Sequence, residues 1–354
     1  MPRLMGMALI GGALILLAGS AATRGTSASA LTQEPSLSVS HQTDQVAGTR
    51  ARQSSGQTIF RFDTFGDEQL WTNVLRMHEA IGSVNPVTAL AVGLKVDVDA
   101  LPPALIAALQ SGKVDLTDPA VTIELLRLNA VVGISGKVDD TGRLTSIGTT
   151  CALCHSTVDN SFTAGIGKRL DGWPNRDLNV GAIVGLSPAL DPALKTEFSK
   201  WGRGKYDPRH HVFDGTNIIP LPIPPDSPPS VPVLIPPAYG LQGVGFETYT
   251  GDGPISYWNS YVGVSQMGGH GTFNDPRIGV FITQKPDRVT PKLPALLDYQ
   301  LSLRTRASGR QLQSTGRQPR QATVSQRGRM RNLPPGAALH GRAERSHPDR
   351  AVPA

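Results

Sequence analysis

The chain has 354 residues, of which 34 are Lys or Arg and 28 are Asp or Glu, so its formal net charge is +6. A composition of 39% hydrophobic and 18% charged residues excludes wholesale disorder, and the length suffices for one large or two ordinary cores. Two cysteines exclude a disulfide-rich scaffold and a four-thiolate zinc or iron–sulfur site.

The amino terminus has the pattern of a secretory signal. Arg3 precedes the uncharged apolar run Leu4–Ala18, and the small residues that follow, up to Ala30, suit cleavage. We therefore expect a signal peptide over residues 1–30 and a periplasmic or otherwise exported body without a membrane span after cleavage. An uncleaved signal would instead be an N-terminal membrane anchor.

The first part of the body is predicted to be a linker followed by helices. Residues 31–59 are rich in Ser, Thr, Gln and Ala without periodicity, which predicts a disordered linker. Folded sequence is expected from Phe60, with apolar residues at helical spacing between Asp67 and His78. Pro102–Gln110 and Asp118–Leu128 are predicted as two further helices, because each has an early proline.

The period then changes to that of a β-hairpin. Val132–Val138 and Arg143–Ile147 alternate around a turn in which Gly142 supplies the positive φ. Residues 220–237 hold nine prolines, which excludes a core helix or strand there. Two later segments are predicted as short helices: Pro192–Lys200 and Pro291–Leu303.

The predicted hairpin leads directly into Cys151-Ala152-Leu153-Cys154-His155. Cys-x-x-Cys-His is the attachment pattern of c-type haem. Two thiols three positions apart on one helical turn can add to the two vinyl groups of the porphyrin, and the next imidazole then lies under the iron. We therefore expect one covalent haem c on Cys151 and Cys154, with His155 as an axial iron ligand.

Three other interpretations of the two cysteines are weaker. A thioredoxin-like pair requires a strand-to-helix βαβ context that the hairpin does not provide. Half of a zinc site would need a second Cys/His pair at finger spacing, which the sequence lacks. A disulfide across this spacing would close a very small loop and stabilise little.

The pentad and the closing segment Leu296–Leu303 together resemble bacterial exported c-type cytochromes. The resemblance implies a mainly α fold: an enlarged cytochrome c-like helical haem domain over residues 60–303, with a short β-hairpin and long Pro/Gly-rich loops. Some ninety residues of the predicted domain precede the pentad, whereas small members of the superfamily carry it near the start of a domain of ~100 residues.

The sixth iron ligand is sought among the thioethers and imidazoles of the body. Met267 is flanked by Gly268 and Gly269, and glycine lets the backbone approach a flat cofactor closely. The resemblance also implies a distal Met in a loop between the pentad and the last helix, where Met267 stands. His270 and His78 remain as alternatives, with a five-coordinate iron as a third.

The net positive charge of the chain comes from its carboxyl terminus. Residues 304–354 contain eleven Arg, no Lys and only two acids, whereas residues 31–303 carry 21 Lys or Arg against 26 Asp or Glu. This Arg-rich segment is predicted to be a disordered tail, and its lack of aromatic residues argues against a nucleic-acid partner.

The tail composition also suggests GC-rich DNA read out of frame. Back-translating the segment Met330–Pro335 and reading it one base later permits Cys-Ala-Thr-Cys-His, a second haem pentad. The hypothesis is a frameshift shortly after Leu303 in a protein whose relatives carry two haems. A gene whose other frame lacks that pentad would contradict it.

These observations predict an exported electron carrier that passes single electrons to a redox partner protein or a small-molecule acceptor. The acidic body would suit a basic patch on a protein partner. The alternative is a haem enzyme resembling di-haem cytochrome c peroxidases, which the second pentad favours. A thiol-redox or interaction module is the option that needs no haem.

Overall fold

The computed structural model describes residues 37–208, 211–216, 218–220, 231–246 and 253–304. The predicted signal peptide, nearly all of the Arg-rich tail and residues 221–230 of the proline-dense segment lie outside these ranges. Within them, no helix combines the length and the apolarity needed to cross a bilayer.

Ten α-helices lie in the described ranges: α1 (Leu37–Phe62), α2 (Met77–Ile81), α3 (Pro86–Ala91), α4 (Pro103–Gln110), α5 (Pro119–Arg127), α6 (Ala152–His155), α7 (Val180–Val184), α8 (Pro192–Ser199), α9 (Ile255–Tyr261) and α10 (Leu293–Ser302). Two π-helical segments, Gln69–Val74 and Val262–Gln266, and two 3-10 turns, Val98–Ala100 and Thr290–Lys292, accompany them.

The strands form six two-stranded sheets within the described residues. The strands are β1 (Val96–Asp97), β2 (Ile134–Val138), β3 (Leu144–Thr149), β4 (Ser156–Val158), β5 (Ile166–Gly167), β6 (Arg169–Asp171), β7 (Lys205–Tyr206), β8 (His211–Phe213), β9 (Ile218–Pro220), β10 (Val233–Leu234), β11 (Thr272–Asp275) and β12 (Val280–Thr283). Only β1 and β5 pair in parallel; the other pairs, β2–β3, β4–β6, β7–β10, β8–β9 and β11–β12, are antiparallel. Helix is the larger share, but the class is mixed α and β rather than plainly mainly α.

Most of the locally signalled elements are confirmed. Helices α4, α5, α8 and α10 begin within two residues of the predicted positions, and each has a proline in its first turn. Asp118 caps α5 by accepting a 2.8 Å hydrogen bond from the N–H of Ala120. The hairpin pairs Ile134 with Thr149, and Gly142 in its turn has a φ of 82°.

The predicted linker over residues 31–59 is wrong from Leu37 onward, because those residues form most of α1. This helix packs on α10. A β-carbon at Gly56 would lie 1.9 Å from the carbonyl oxygen of Ala295, so the two backbones touch. The Phe60 and Tyr299 rings meet edge to face with centroids 5.6 Å apart. The polar sequence of α1 is therefore helical through tertiary packing rather than through its own periodicity.

The predicted helix between Asp67 and His78 is also wrong as a single element. Its first part is the π-helical segment Gln69–Val74, where the N–H of Leu75 donates to the carbonyl of Leu70 at 2.8 Å. Arg76 then takes a left-handed φ of 53°, and α2 begins at the next residue. His78 consequently does not continue the face of Leu70.

Among the residues that the structure describes, the core consists of two hydrophobic clusters, and the pentad lies where they meet. The first cluster contains Leu153 and Cys154 together with residues of α5, α7 and the hairpin. The second contains Cys151, Ala152 and Met267 with residues of α1, α9 and α10. The one-turn helix α6 therefore has one cluster on each side.

The carboxyl end of the described domain returns to the pentad. The carbonyl of Leu303, just after α10, accepts a 3.0 Å hydrogen bond from the N–H of Gly240. A β-carbon at Gly172 would lie 3.2 Å from Leu303 Cδ1, and the N–H of Gly172 donates to the carbonyl of His155 at 2.8 Å. Leu303 is thus separated from the last residue of the pentad by a single residue, Gly172.

Candidate functional site

The pentad forms a single helical turn between two strands. Cys151 caps α6 two residues after β3 ends, and β4 begins directly after His155. The N–H of His155 donates to the carbonyl of Cys151 at 3.1 Å, which closes the turn. Gly133 allows the hairpin to approach this turn, because a β-carbon there would lie 2.0 Å from the Leu153 nitrogen. Both thiols and the imidazole are therefore presented from one rigid turn.

Cys151 and Cys154 are unpaired, half-buried thiols. Burial raises the pKa of each to about 12, and the negative charge of Asp63 adds to the rise at Cys151. Reactive thiols of redox and nucleophilic sites have a lowered pKa instead. The environment therefore argues against the thiol-redox alternative and keeps both groups as neutral S–H.

The imidazole of His155 has a fixed tautomer. Its Nδ1 lies 3.0 Å from the carbonyl oxygen of Pro236, and because a carbonyl can only accept, Nδ1 must donate. The lone pair of the neutral ring then lies on Nε2, which is the atom that binds a metal. Burial lowers the pKa of His155, although this hydrogen bond opposes the effect, so the neutral form is favoured. A histidine ligand commonly has this second hydrogen bond to a carbonyl.

A loop after β6 satisfies the backbone of the pentad. The N–H of Asn175 donates to the carbonyl of Cys154 at 2.9 Å, beside the Gly172 bond to His155. The carbonyl of Gly172 accepts from the N–H of Ala238 at 2.8 Å, which ties this loop to the segment that carries Pro236. The last two residues of the pentad are thus held by the loop of residues 172–175, which the segment of residues 236–240 supports in turn.

A buried carboxyl group contacts the end of β3, the strand that precedes the pentad. Asp67 is fully buried and accepts hydrogen bonds from Thr149 Oγ1 at 2.6 Å and from the Thr149 N–H at 3.0 Å. Burial raises its pKa well above the usual value, against the opposing effect of these bonds. The sequence predicts Asp67 only at the start of a helix, and no local signal reveals a contact across 82 residues.

Met267 is the sixth-ligand candidate that lies in one of the two clusters to which the pentad contributes. It is buried, belongs to the same apolar cluster as Cys151 and Ala152, and follows the second π-helical segment. A β-carbon at Gly269 would lie 2.5 Å from the carbonyl oxygen of Gly263, so close backbone packing requires glycine at this position. The predicted reason for these glycines was approach to a cofactor, whereas the described contacts are with the protein itself.

The two histidine alternatives occupy different places. His270 is half-buried, and its Nδ1 donates to the carbonyl of Pro286 at 2.9 Å, so it also presents Nε2. His78 lines a surface cleft with Gly142 and Leu144, at the turn of the hairpin. The five residue steps from Leu144 to the end of β3 span ~17 Å, so the fold does not bring His78 to the pentad.

The described ranges contain no cluster of three or more His, Cys, Asp or Glu side chains arranged to hold a metal ion. The pentad itself supplies one imidazole, that of His155, and the two thiols of Cys151 and Cys154. The two neutral thiols and the free Nε2 fit the attachment and ligation of haem c.

Comparisons with protein-family models, with curated proteins and with solved structures found no match for this chain.

Proposed function

We propose that the chain is an exported c-type cytochrome that carries one covalent haem on Cys151 and Cys154 and transfers single electrons. The observation that carries the proposal is His155 at the end of the pentad, its Nδ1 hydrogen bond to Pro236 leaving Nε2 as the metal-binding atom. Without that bond, the pentad would be a spacing pattern alone.

The attachment chemistry uses only groups that the pentad supplies. Each S–H adds across one vinyl double bond of the porphyrin, so that sulfur bonds to one carbon and the proton goes to the other. No oxidant or reductant is consumed. The bound group would then supply a reversible Fe(III)/Fe(II) couple in a site whose cysteines are half-buried.

The residues around the pentad suit electron transfer better than substrate turnover. A methionine as sixth ligand raises the reduction potential and leaves no open position on the iron. Met267, which is buried in the cluster of Cys151, would be that ligand. The partner would be a redox protein or a small-molecule acceptor, and the acidic body favours a protein with a basic patch.

The test is periplasmic expression with haem-lyase or maturation machinery, followed by haem staining on a denaturing gel and a pyridine haemochrome spectrum. We expect stain at the mass of the chain and one haem per chain. The Cys151→Ser/Cys154→Ser double variant should lose the stain. A folded, stain-free wild-type chain would overturn the proposal and restore the module without haem.

A haem enzyme resembling di-haem cytochrome c peroxidases is the second candidate, favoured by the second pentad that a shifted reading frame of residues 330–335 permits. Iron coordination separates the two. A low-spin spectrum with a sulfur-to-iron charge-transfer band in the far red supports the carrier. A high-spin reduced iron that binds carbon monoxide or peroxide supports the enzyme.

A further inference from the structure

Met267 is contacted by one π-helical segment in the fold and follows a second in the chain. In the first, Gln69–Val74, the N–H of Leu75 bonds to the carbonyl of Leu70; in the second, the N–H of Met267 donates to the carbonyl of Val262 at 2.8 Å. Such a turn contains one residue more than an α-helical turn and occurs frequently at functional sites. Here side chains of the first segment contact the backbone directly after the second.

The contact between the two segments is made by hydrogen bonds from side chain to backbone. The indole N–H of Trp71 donates to the carbonyl of Met267 at 2.9 Å, and this bond is buried. Gln69 Nε2 donates to the carbonyl of the next residue, Gly268, at 2.8 Å. Two successive carbonyls are therefore held by two side chains of the first π-helical segment.

The turn after Met267 is also fixed sterically. Gly268 has a φ of 81°, and a β-carbon there would lie 2.5 Å from the Leu70 β-carbon. Gly268 thus packs directly on the segment that donates the two hydrogen bonds. The backbone of Met267 has little freedom to shift while Trp71 and Gln69 hold it.

We propose that Trp71 is a positioning residue that holds the thioether of Met267 in place as the sixth iron ligand. This inference rests on the proposed haem function. Trp71 itself acts only through the carbonyl of Met267. Its side chain is 8% exposed, so water cannot readily replace the indole N–H.

Loss of the indole N–H should leave the iron–sulfur bond easier to break. The carbonyl of Met267 would lose its donor, and the net value of one such hydrogen bond corresponds to about a fivefold change in an equilibrium constant. The population with Met267 detached should rise by that factor. An added ligand that competes for the same iron position, such as imidazole, should then bind about fivefold more tightly.

The experiment titrates the purified holoprotein with imidazole and follows the loss of the far-red sulfur-to-iron band. Trp71→Phe is compared with the matched variant Trp258→Phe, since Trp258 packs in Met267's cluster but its indole N–H is buried without a partner. We expect about fivefold tighter imidazole binding for Trp71→Phe and wild-type affinity for Trp258→Phe. Equal affinities in wild type and Trp71→Phe would overturn the proposal.

A second substitution keeps the test valid where Trp71→Phe does not fold. Incorporation of benzothienylalanine at position 71 replaces N–H by sulfur at nearly the same size, so only the hydrogen bond is lost. We expect the same fivefold effect on imidazole binding with thermal unfolding close to that of wild type. If Trp71→Phe and Trp258→Phe both bind imidazole more tightly, and both in proportion to their lowered thermal stability, the role of Trp71 is merely structural.

Met267→Ala separates this inference from the function on which it rests. If the variant keeps covalent haem and loses the far-red band, Met267 is the ligand that Trp71 positions. If it keeps both the haem and the band, the inference about Trp71 falls and the cytochrome proposal stands. A wild-type chain without covalent haem removes both.

Discussion

The carbonyl oxygen of His155 accepts a 2.8 Å hydrogen bond from the N–H of Gly172, a residue with a φ of 82°. On its other side Gly172 meets the segment that holds the imidazole: a β-carbon there would lie 3.0 Å from the Tyr239 β-carbon and 3.1 Å from the carbonyl oxygen of Ala238. The main chain and the side chain of His155 are thus both supported through Gly172.

Gly172→Ala should therefore disturb His155, the proposed ligand of the haem iron. The added methyl group displaces the segment that carries Pro236, which weakens the Nδ1 hydrogen bond of His155 and makes the imidazole a poorer donor to iron. We expect a higher midpoint potential, together with a loss of stability of about 1–2 kcal/mol for the left-handed backbone and a further ~1–3 kcal/mol for crowding.

Gly142→Ala is the control for this prediction. Gly142 has the same φ of 82°, but no heavy atom lies within 4 Å of a β-carbon placed there. Gly142→Ala should therefore lose only the stability that the left-handed backbone costs, and it should leave the midpoint potential unchanged. A potentiometric titration and urea unfolding of both variants compare the two effects; equal potentials in the two variants would refute the role of Gly172.

The buried carboxyl of Asp67 should make stability fall as pH rises. Its pKa in the folded protein lies well above the usual 3.8, so the folded chain keeps a proton that the unfolded chain has released. Stability from this group is present below 3.8 and is lost as pH rises towards the raised pKa. Asp67→Asn should therefore flatten the dependence of the unfolding free energy on pH above pH 3.8.

An aspartate shifted the other way serves as the comparison. Hydrogen bonds, chiefly from the Thr141 hydroxyl, lower the pKa of Asp139 to about 2, so its contribution changes only as pH falls from 3.8 towards 2. Asp139→Asn should leave the slope above pH 3.8 unaltered. Urea denaturation of the three proteins at several pH values gives the slopes, and identical slopes for Asp67→Asn and wild type would contradict the assignment.

Helix α1 makes a sharp prediction about two of its glycines. Gly56 touches the carbonyl of Ala295 on α10, so Gly56→Ala should force the helices apart and cost about 1–3 kcal/mol. A β-carbon at Gly48 meets only a side-chain nitrogen of Arg52 at 3.8 Å, so Gly48→Ala should stabilise the helix by about 1 kcal/mol. Thermal unfolding distinguishes them; two silent substitutions would favour a disordered linker after all.

The ion pair between Arg169 and Asp97 is buried, with side-chain exposures of 3% and 10% and an N–O distance of 3.0 Å. Asp97→Asn removes the charge while preserving shape, which leaves a buried guanidinium without its carboxylate. We expect a loss of about 3–5 kcal/mol in urea unfolding. Glu124→Gln, in the exposed pair with Arg127, should give no resolvable change, and similar losses in both variants would show that burial is not decisive.

The helices and the turn that were predicted correctly are those with a local sequence signal. The prolines that open α4, α5 and α8 and the turn at Gly142 fix those elements within a few residues of themselves. The pentad is a local pattern too, because five consecutive residues define it, and the haem that it predicts stays a prediction. Such patterns need no knowledge of what lies elsewhere in the chain.

The remaining features depend on contacts between distant segments. Helix α1 has no apolar stripe, and its contacts with α10 and with residues around the pentad account for it. The partner of His155 is Pro236, 81 residues away in a segment interpreted simply as a proline-rich insertion. The break at Arg76 was equally hidden, since arginine gives no sign of a left-handed backbone. These features follow from packing, which a single sequence does not display.

The return of Leu303 to Gly172 has a practical consequence for protein engineering. A redox protein fused after this residue would begin beside the pentad, so its encounter with the site would be intramolecular. Short flexible linkers give effective concentrations in the millimolar range, far above those at which separate carriers are usually mixed. With the proposed haem on the pentad, the carboxyl end of α10 is therefore an attachment point close to the site of electron transfer.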